Sequence, residues 1–241
     1  MQKELISLQF KTKSNFDRNL KKLKSLLEDT PKHSVTLAPE VSLTGFCYDR
    51  FDEGVEFSLK AISEIRELTE DKIFAMTVLE RINGEYFNIL KVFHNKRLVY
   101  SQKKHKLFPL GDEHKYFSAG KEEDIKIFEI DGVKFAVLIC FEIRFSTLWE
   151  RVKGADVILV PAMWGSPRRE HFETLTKALA ITNQCFVIAS NSANSDMLRG
   201  GGIITPFGTV YKNYDENIIS AKVDLREIKK MRKYINIGLS Q

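Results

Sequence analysis

The stretch FAVLICFEIRF, residues 135–145, changes character at its midpoint. Five apolar residues at 135–139 run without interruption into Cys140, and the chain then becomes polar. An apolar run of this kind is typical of a strand that is buried on both faces. The amphipathic segment that follows, Ser146 to Lys153, predicts a helix. The pattern therefore places Cys140 at the point where a buried strand is followed by a helix.

A cysteine in that position has two interpretations. Unpaired backbone N–H groups and the positive end of a helix dipole stabilise a thiolate or an oxyanion, which favours a nucleophile. The alternative is a structural role, because free cysteines are among the most buried residues of proteins. Cys47 and Cys185 have no charged partner placed beside them by a motif, so we predict that both are structural. Three widely spaced cysteines also argue against a disulfide framework and against a zinc site.

The regions on both sides of this stretch predict an α/β protein. ELISLQF predicts a first strand, and Ser14 with Asp17 three residues later resembles a capping box at the start of the first helix. Turn residues at 94–96 and at 131–132 each separate two strand-like runs, which predicts two hairpins. Hairpins and strand-helix-strand units occur together, so we expect mixed sheets.

Length and composition indicate one soluble domain. The chain of 241 residues is long enough to bury roughly 70 to 75% of the surface that its unfolded form exposes. We find no internal repeat and no linker, which predicts a single domain over residues 1–241. No apolar run approaches the roughly 20 residues needed to span a membrane, and the first residues lack the apolar core of a signal peptide. We therefore predict a cytoplasmic protein without a membrane partner.

The net charge of +5 raises the question of nucleic-acid binding. The basic residues are, however, scattered among 32 acidic ones. The densest cluster, Lys229, Lys230, Arg232 and Lys233, lies near the end of the chain and has one aromatic neighbour, Tyr234. We predict that it forms a solvated helix face and that the protein has no nucleic-acid partner.

Two other stretches place reactive groups at a strand end and in a long loop. SVTLAPE predicts a strand that stops at Pro39, so Glu40 stands at its carboxyl end, where open α/β sheets bind ligands. Residues 102–120 form a long charged loop with lysines between Lys103 and Lys106, and such loops are usually functional. A carboxylate, an ammonium and a thiol together supply the proton transfer, oxyanion stabilisation and nucleophile that amide cleavage needs. This chemistry requires neither a metal nor an organic cofactor.

Other chemistry is less well supported. A cysteine-histidine hydrolase would need a histidine beside the thiol, and none of the five histidines lies in a motif that places it there. The glycines at 200–202 lack the GxGxxG spacing of a dinucleotide site.

Three blocks of the sequence together resemble a known family. APEVSLTGF at 38–46, QKKHKLFPLGDEH at 102–114 and LICFEIRF at 138–145 are similar, in order and spacing, to the signature blocks of the nitrilase superfamily, the carbon-nitrogen hydrolases. TLTKALAITNQCFVIASN at 174–191 and GGGIITPFGTV at 200–210 resemble its later blocks, so the resemblance covers nearly the whole chain. It implies a four-layer α-β-β-α sandwich in which two mixed sheets pack face to face between helices.

The resemblance also implies roles for individual residues. Glu40 is implied as general base and acid, and Cys140 as the nucleophile that forms a thioester. Lys104, chosen over its neighbours by its distance from the Leu-Phe pair of the motif, is implied to stabilise the oxyanion, together with the backbone N–H of Phe141. Glu113 matches a second acidic residue that positions the lysine and the substrate.

Within the superfamily, the short chain and the CFEIRF block look most like the ω-amidase branch, which hydrolyses the terminal amide of small 2-oxo dicarboxylic acid monoamides. By this resemblance Arg144 helps to bind the carboxylate of the substrate; the alternative is an ion pair with Glu142 or a neighbour. Trp164 is a candidate wall of the substrate pocket, with core packing as the alternative. The expected partners are a small amide and water, and a homodimer or higher homo-oligomer is implied, with contacts after Cys140 and around Glu173.

Two other functions stay open at this point. The same glutamate, lysine and cysteine could act on an N-carbamoyl amine or a nitrile. A protein with the nitrilase fold could instead be a non-catalytic binding protein, although the presence of all three residues argues against this.

Overall fold

Two six-stranded sheets form the centre of the protein. The computed structural model describes residues 1–239 and shows twelve strands and six α-helices in this range. The strands are β1 (Gln2–Leu8), β2 (Ser34–Leu37), β3 (Ile73–Ile82), β4 (Glu85–His94), β5 (Arg97–Lys103), β6 (Phe128–Ile130), β7 (Val133–Val137), β8 (Val157–Ala162), β9 (Phe186–Asn191), β10 (Gly202–Ile204), β11 (Val210–Tyr211) and β12 (Ile218–Asp224). The α-helices are α1 (Phe16–Glu28), α2 (Phe51–Glu67), α3 (Glu113–Tyr116), α4 (Ser146–Arg151), α5 (Arg169–Asn183) and α6 (Arg226–Tyr234).

Each sheet combines parallel strands at its centre with antiparallel strands at its edges. The first sheet has the order β12-β1-β2-β3-β4-β5, and β1, β2 and β3 are its parallel strands. The second sheet has the order β11-β10-β9-β8-β7-β6, and β7, β8 and β9 are parallel. The predicted hairpins are β4–β5 and β6–β7. The prediction of mixed sheets is confirmed.

Helices cover the outer face of each sheet. Leu23 of α1 and Ile65 of α2 pack in one cluster with Ile6 of β1. Side chains alternate between the two faces of a strand. Leu5, next to Ile6, accordingly belongs to a second and larger cluster, which contains residues of both sheets and extends to Leu179 of α5.

The two sheets meet through β1 and β9. Ser7 Oγ donates a hydrogen bond of 2.7 Å to the carbonyl of Ala189, and Ser190 Oγ donates one to the carbonyl of Leu8. Both hydroxyls are buried, and buried polar groups need such partners. The architecture is therefore a four-layer α-β-β-α sandwich, as the resemblance implies.

The stretch around Cys140 forms a strand followed by a helix, with one difference from the prediction. The apolar residues 135–139 are buried, and β7 ends at Val137. A 3₁₀-helix, Cys140–Arg144, comes next, and the α-helix α4 begins only at Ser146. The tighter turn forms because the Glu142 side chain accepts from the backbone N–H of Ile139, which caps the first turn.

The first α-helix begins one residue later than predicted. Asn15, not Ser14, is the N-cap, because its side chain accepts a 2.9 Å hydrogen bond from Arg18 N. The capping-box prediction at Ser14 is therefore wrong. Asparagine caps helices as well as serine does, and this start buries Phe16 and Leu20 against the core. No helix within residues 1–239 is long and apolar enough to cross a membrane.

Candidate active site

Glu40 lies just beyond the carboxyl end of β2 and is fully buried. Its backbone N–H donates to the carbonyl of Ala162 at the end of β8, which connects the two sheets. The next N–H, from Val41, donates to Thr77 Oγ1 at 2.6 Å. Asn88 Nδ2 donates to Glu40 Oε1 at 2.9 Å. In the part of the chain that the structure describes, the other carboxylate oxygen, Oε2, has no hydrogen-bond partner. It is therefore available to exchange a proton.

Lys104 follows β5 and places a buried ammonium between two carboxylates. Its Nζ lies 2.7 Å from Glu40 Oε1 and 2.7 Å from Glu113 Oε1. Burial opposes the charged form, but the negative charges of Glu40 and Glu113 outweigh it and raise the pKa of Lys104 above its ordinary value. An ammonium has three N–H donors, so one remains for a ligand. Lys103 instead lies over the ring of Phe87.

The loop that carries Lys104 and Glu113 is closed tightly. Phe108 N donates to Glu113 Oε2 at 3.1 Å, and Gly120 N donates to the carbonyl of Lys104 at 2.8 Å. A Cβ atom at Gly120 would lie 2.7 Å from the carbonyl oxygen of Lys103. Only glycine permits this approach, so Gly120 helps to determine where the ammonium lies.

Cys140 is buried, and its backbone is in the left-handed region with a φ of 52°. Burial, and next the negative charge of Glu40, raise the pKa of the thiol well above its ordinary value, although Lys104 acts in the opposite direction. The position at a helix start favours a thiolate, but burial and the charge of Glu40 oppose this charged form more strongly. Attack by Cys140 therefore needs a base, and Glu40 is the adjacent candidate.

Glu142 links the lysine loop to the cysteine turn. One of its oxygens accepts from His105 N and the other from Ile139 N, both at 2.6 Å. The side chain is fully buried. Burial raises the pKa of Glu142 to about 7, although the two backbone N–H groups lower it. The backbone of His105, next to Lys104, and the backbone of Ile139, next to Cys140, are thus both bound to the Glu142 carboxylate.

Cys140 opens into a narrow cavity of about 20 Å³ with two arginines on its walls. The Arg144 guanidinium lies 4.5 Å from the Trp164 ring centre, and that of Arg168 lies 5.3 Å from the ring centre of Phe108. Burial, and next the positive charge of Arg168, lower the pKa of Arg144. This volume holds about one water molecule, so a larger ligand must displace side chains at the mouth. The cavity is lined by Phe108, Cys140, Phe141, Arg144, Met163, Trp164 and Arg168.

Residues 1–239 contain no group of three or more His, Cys, Asp and Glu side chains arranged to hold a metal ion. The carboxylates near Cys140 are instead occupied by Lys104 and by the amide of Asn88.

The family model for carbon-nitrogen hydrolases matches residues 6–233. The chain belongs to the carbon-nitrogen hydrolase family. It is 36% identical over 234 residues to the 2-oxoglutaramate amidase of Bacillus subtilis (strain 168), which covers 91% of this chain and 89% of the relative. It is 26% identical over 229 residues to the omega-amidase YafV of Escherichia coli (strain K12), with 89% and 87% covered. This carbon-nitrogen hydrolase is therefore an enzyme that acts on carbon–nitrogen bonds other than peptide bonds.

Solved structures share the fold of this carbon-nitrogen hydrolase. XC1258 from Xanthomonas campestris, a protein of the CN-hydrolase superfamily, superimposes with a TM-score of 0.86 at 21% identity, over 98% of this chain and 95% of that chain. Nit3 from Saccharomyces cerevisiae, a member of the nitrilase superfamily, gives a TM-score of 0.86 at 20% identity with the same coverage. The predicted nitrilase-like fold is confirmed.

The structure corrects one interpretation of Arg144 in this carbon-nitrogen hydrolase. An ion pair with Glu142 is excluded, because that carboxylate points inward to backbone N–H groups. Arg144 instead lies over Trp164, with Nη2 3.0 Å from His171 Nδ1. Trp164 both lines the cavity and packs against the core residue Phe172, so its two interpretations are compatible.

Three residues at this site were not identified from the sequence as functional. Asn88 is a polar residue in β4 with apolar neighbours on both sides, Phe87 and Ile89, a signal that could have indicated a buried partner. Glu142 was considered only as an ion-pair partner. Arg168 is preceded by Pro167 at the start of the helix region, and nothing in its local pattern indicates that it faces Cys140.

Proposed function

We propose that this carbon-nitrogen hydrolase is an amidase of the ω-amidase type, which hydrolyses a small amide bearing a carboxylate and releases ammonia. The observation that carries the proposal is the arrangement around Glu40: Lys104 and Asn88 hold one of its oxygens, and the other is unpaired beside Cys140, whose thiol pKa is raised by burial. The likeness to a 2-oxoglutaramate amidase supports the same substrate class.

The first half of the reaction is acyl transfer to sulfur. Glu40 Oε2 accepts the thiol proton while Cys140 Sγ attacks the carbonyl carbon of the amide. The free N–H of Lys104 and the backbone N–H of Phe141, at the start of the 3₁₀-helix, donate to the developing oxyanion. The C–N bond then breaks, and ammonia leaves with the proton that Glu40 held. A thioester on Cys140 remains.

The second half hydrolyses the thioester. Glu40 accepts a proton from water, and the hydroxide attacks the carbonyl carbon while the same donors hold the oxyanion. The C–S bond breaks, the carboxylic acid leaves, and the proton returns from Glu40 to the sulfur. Each half uses one proton acceptor and one oxyanion site, so no further reactant is needed.

The two arginines of the cavity support the proposed substrate class. Guanidinium groups donate paired hydrogen bonds to carboxylates. A 2-oxo acid presents a carboxylate and a neighbouring carbonyl oxygen, which suits two guanidiniums better than one. Arg144 and Arg168 are therefore proposed to bind this end of the substrate, with the amide directed to Cys140.

Ammonia release tests the proposal with 2-oxoglutaramate, 2-oxosuccinamate, simple aliphatic amides, N-carbamoyl amines and nitriles. We expect selective turnover of the 2-oxo amides, complete loss in Cys140→Ala, and a loss of about a thousandfold in Glu40→Gln. Carbon dioxide released with the ammonia would support a carbamoyl substrate instead. Turnover that survives in Cys140→Ala would contradict the mechanism.

A further inference from the structure

A second cavity, of about 270 Å³, lies among residues that the proposed reaction does not use. Its floor contains Phe10, Asn19 and Ala193, and its remaining lining is dominated by cationic side chains. The cationic residues are Lys11, Lys13, Arg18, Lys22 and Arg199. None of the five forms a salt bridge to a carboxylate within residues 1–239.

The fold concentrates this charge at an energetic cost. Arg18 and Lys22 are four residues apart on α1, so they lie on the same face of the helix, and like charges at this spacing are destabilising. Lys11 and Lys13 precede the helix, and the buried Asn19 holds this segment through bonds to both the N–H and the carbonyl of Lys13. A bound anion would remove the repulsion.

Arg199 carries an independent sign of a missing ligand. It comes from the loop between β9 and β10, far from the other four in sequence, and its φ of 44° is unusual for a residue other than glycine. One terminal nitrogen donates to the carbonyl of Asp215 at 2.7 Å. Its Nε is buried and has no partner among the described residues. Buried donors are nearly always paired, so a shift of the Arg199 side chain toward an anion in the cavity would satisfy this N–H.

We infer that this cavity binds the phosphate group of a small phosphorylated molecule. A phosphate carries a charge close to −2 at neutral pH and has several acceptor oxygens, which matches a set of guanidinium and ammonium donors. A carboxylate carries only half of this charge and therefore matches the five cations less well. The volume is near the lower limit of small-molecule sites and fits a phosphate group or a pyrophosphate.

An anion could also bind to Arg144 and Arg168 near Cys140, so the test must distinguish binding there from binding in the second cavity. Isothermal titration calorimetry with pyrophosphate, inorganic phosphate and sodium chloride is carried out on the wild type and three double variants. Lys13→Gln/Arg18→Gln removes two exposed cations of the cavity. Lys230→Gln/Lys233→Gln removes the same charge from the exposed face of α6. Arg144→Gln/Arg168→Gln removes the cations near Cys140.

We expect saturable binding of pyrophosphate, stronger than of phosphate and absent for chloride. It should weaken by about tenfold or more in Lys13→Gln/Arg18→Gln and stay within about twofold in the other two variants. Arg199→Gln should weaken binding in the same way, and thermal unfolding without ligand shows whether each variant is folded. Absence of saturable binding to the wild type would overturn the inference. So would an equal loss in the α6 variant, which indicates unspecific charge, or a loss confined to Arg144→Gln/Arg168→Gln.

Discussion

Two groups of cations in this enzyme differ in every respect except their charge. Lys104 is fully buried and lies 2.7 Å from each of two carboxylates. The five cations of the second cavity lie mostly at the surface and have no carboxylate partner within residues 1–239. The comparison shows that charge is placed in two ways. A buried cation that is paired with carboxylates of the protein has a fixed position. In an exposed cluster without carboxylate partners, the N–H donors of the lysines and arginines are free to bind a ligand.

The consequence is that the two groups should respond differently to substitution. Loss of Lys104 leaves carboxylates buried without a counter-charge, and this is among the most destabilising changes in proteins. Loss of one exposed cation from a crowded group relieves repulsion. The predictions below test this contrast, beginning with the largest expected effect.

Lys104→Met should reduce kcat/KM for 2-oxo amides by at least about a thousandfold, because in the proposed mechanism it removes an oxyanion donor and frees Glu40 from its position. It should also reduce the free energy of unfolding by about 3 to 5 kcal/mol, since Glu40 and Glu113 lose their partner. Steady-state kinetics and urea unfolding measure the two effects. Lys103→Met, one residue away, is the matched control and should retain activity. A variant of Lys104 that is as active as this control would refute the assignment.

Glu142 should make stability depend on pH. Its ordinary pKa is 4.5, which applies to the unfolded chain, and its pKa in the fold is about 7. Between these values the folded state holds a proton that the unfolded state has lost, so the free energy of unfolding falls as pH rises through this window. The fall from this group is on the order of 3 kcal/mol.

Urea unfolding from pH 4.5 to 8 measures the effect in the wild type, in Glu142→Gln and in the exposed control Glu129→Gln. Glu142→Gln should show a shallower decline, whereas Glu129→Gln should follow the wild type. Parallel curves for all three proteins would mean that Glu142 does not titrate as described.

Arg168→Gln should raise KM for 2-oxo amides by about tenfold and change kcat little, because the guanidinium is proposed to bind a part of the substrate that does not react. Arg169→Gln is the matched control, since Arg169 lies over the Tyr214 ring and not in the lining of the Cys140 cavity. Initial rates over a range of substrate concentrations separate KM from kcat. An equal change in both variants would remove Arg168 from the substrate site.

Arg18→Gln should have the smallest effect on stability and the opposite sign to Lys104→Met. Without a bound anion, we expect the free energy of unfolding to rise by a few tenths of a kcal/mol as the repulsion from Lys22 is relieved. The difference should vanish at high salt, which screens exposed charges. Urea unfolding at low and high ionic strength measures it. A loss of stability that persists at high salt would show that Arg18 has a structural role.

Much of the fold could be predicted because its signals are local. The apolar run at 135–139 by itself predicts a buried strand, and the Asp131-Gly132 pair by itself predicts a hairpin turn. The cap of α1 could not be assigned securely, since Ser14 and Asn15 are adjacent and equally capable, and only the hydrogen bond from Arg18 N to the Asn15 side chain decides between them. The 3₁₀-helix after Cys140 depends on a hydrogen bond to the Glu142 side chain. The spacing of apolar residues in the sequence cannot reveal such a bond.

The candidate site was predicted in its composition but not in its energetics. Glu40, Lys104, Glu113 and Cys140 meet because their blocks lie at strand ends. The raised pKa of Cys140 depends on burial and on the approach of Glu40, and both require the three-dimensional arrangement. The cluster around Arg199 was invisible for the same reason. Four of its members lie close together in the sequence at 11–22, but Arg199 is far from them, and only the tertiary fold brings Arg199 to Lys11 and Lys13.

Glu40 and Lys104 belong to the first sheet, whereas Cys140 belongs to the second. The proposed base and the proposed nucleophile are thus held on separate halves of the sandwich, and the hydrogen bond from Glu40 N to the carbonyl of Ala162 crosses between them. In the proposed mechanism, neither half alone contains a working set of groups. The reaction therefore requires that the two sheets have packed against each other. A partly folded chain, in which they have not, cannot form the thioester, so the measured amidase activity reports the fraction of molecules in which the sheets are correctly packed.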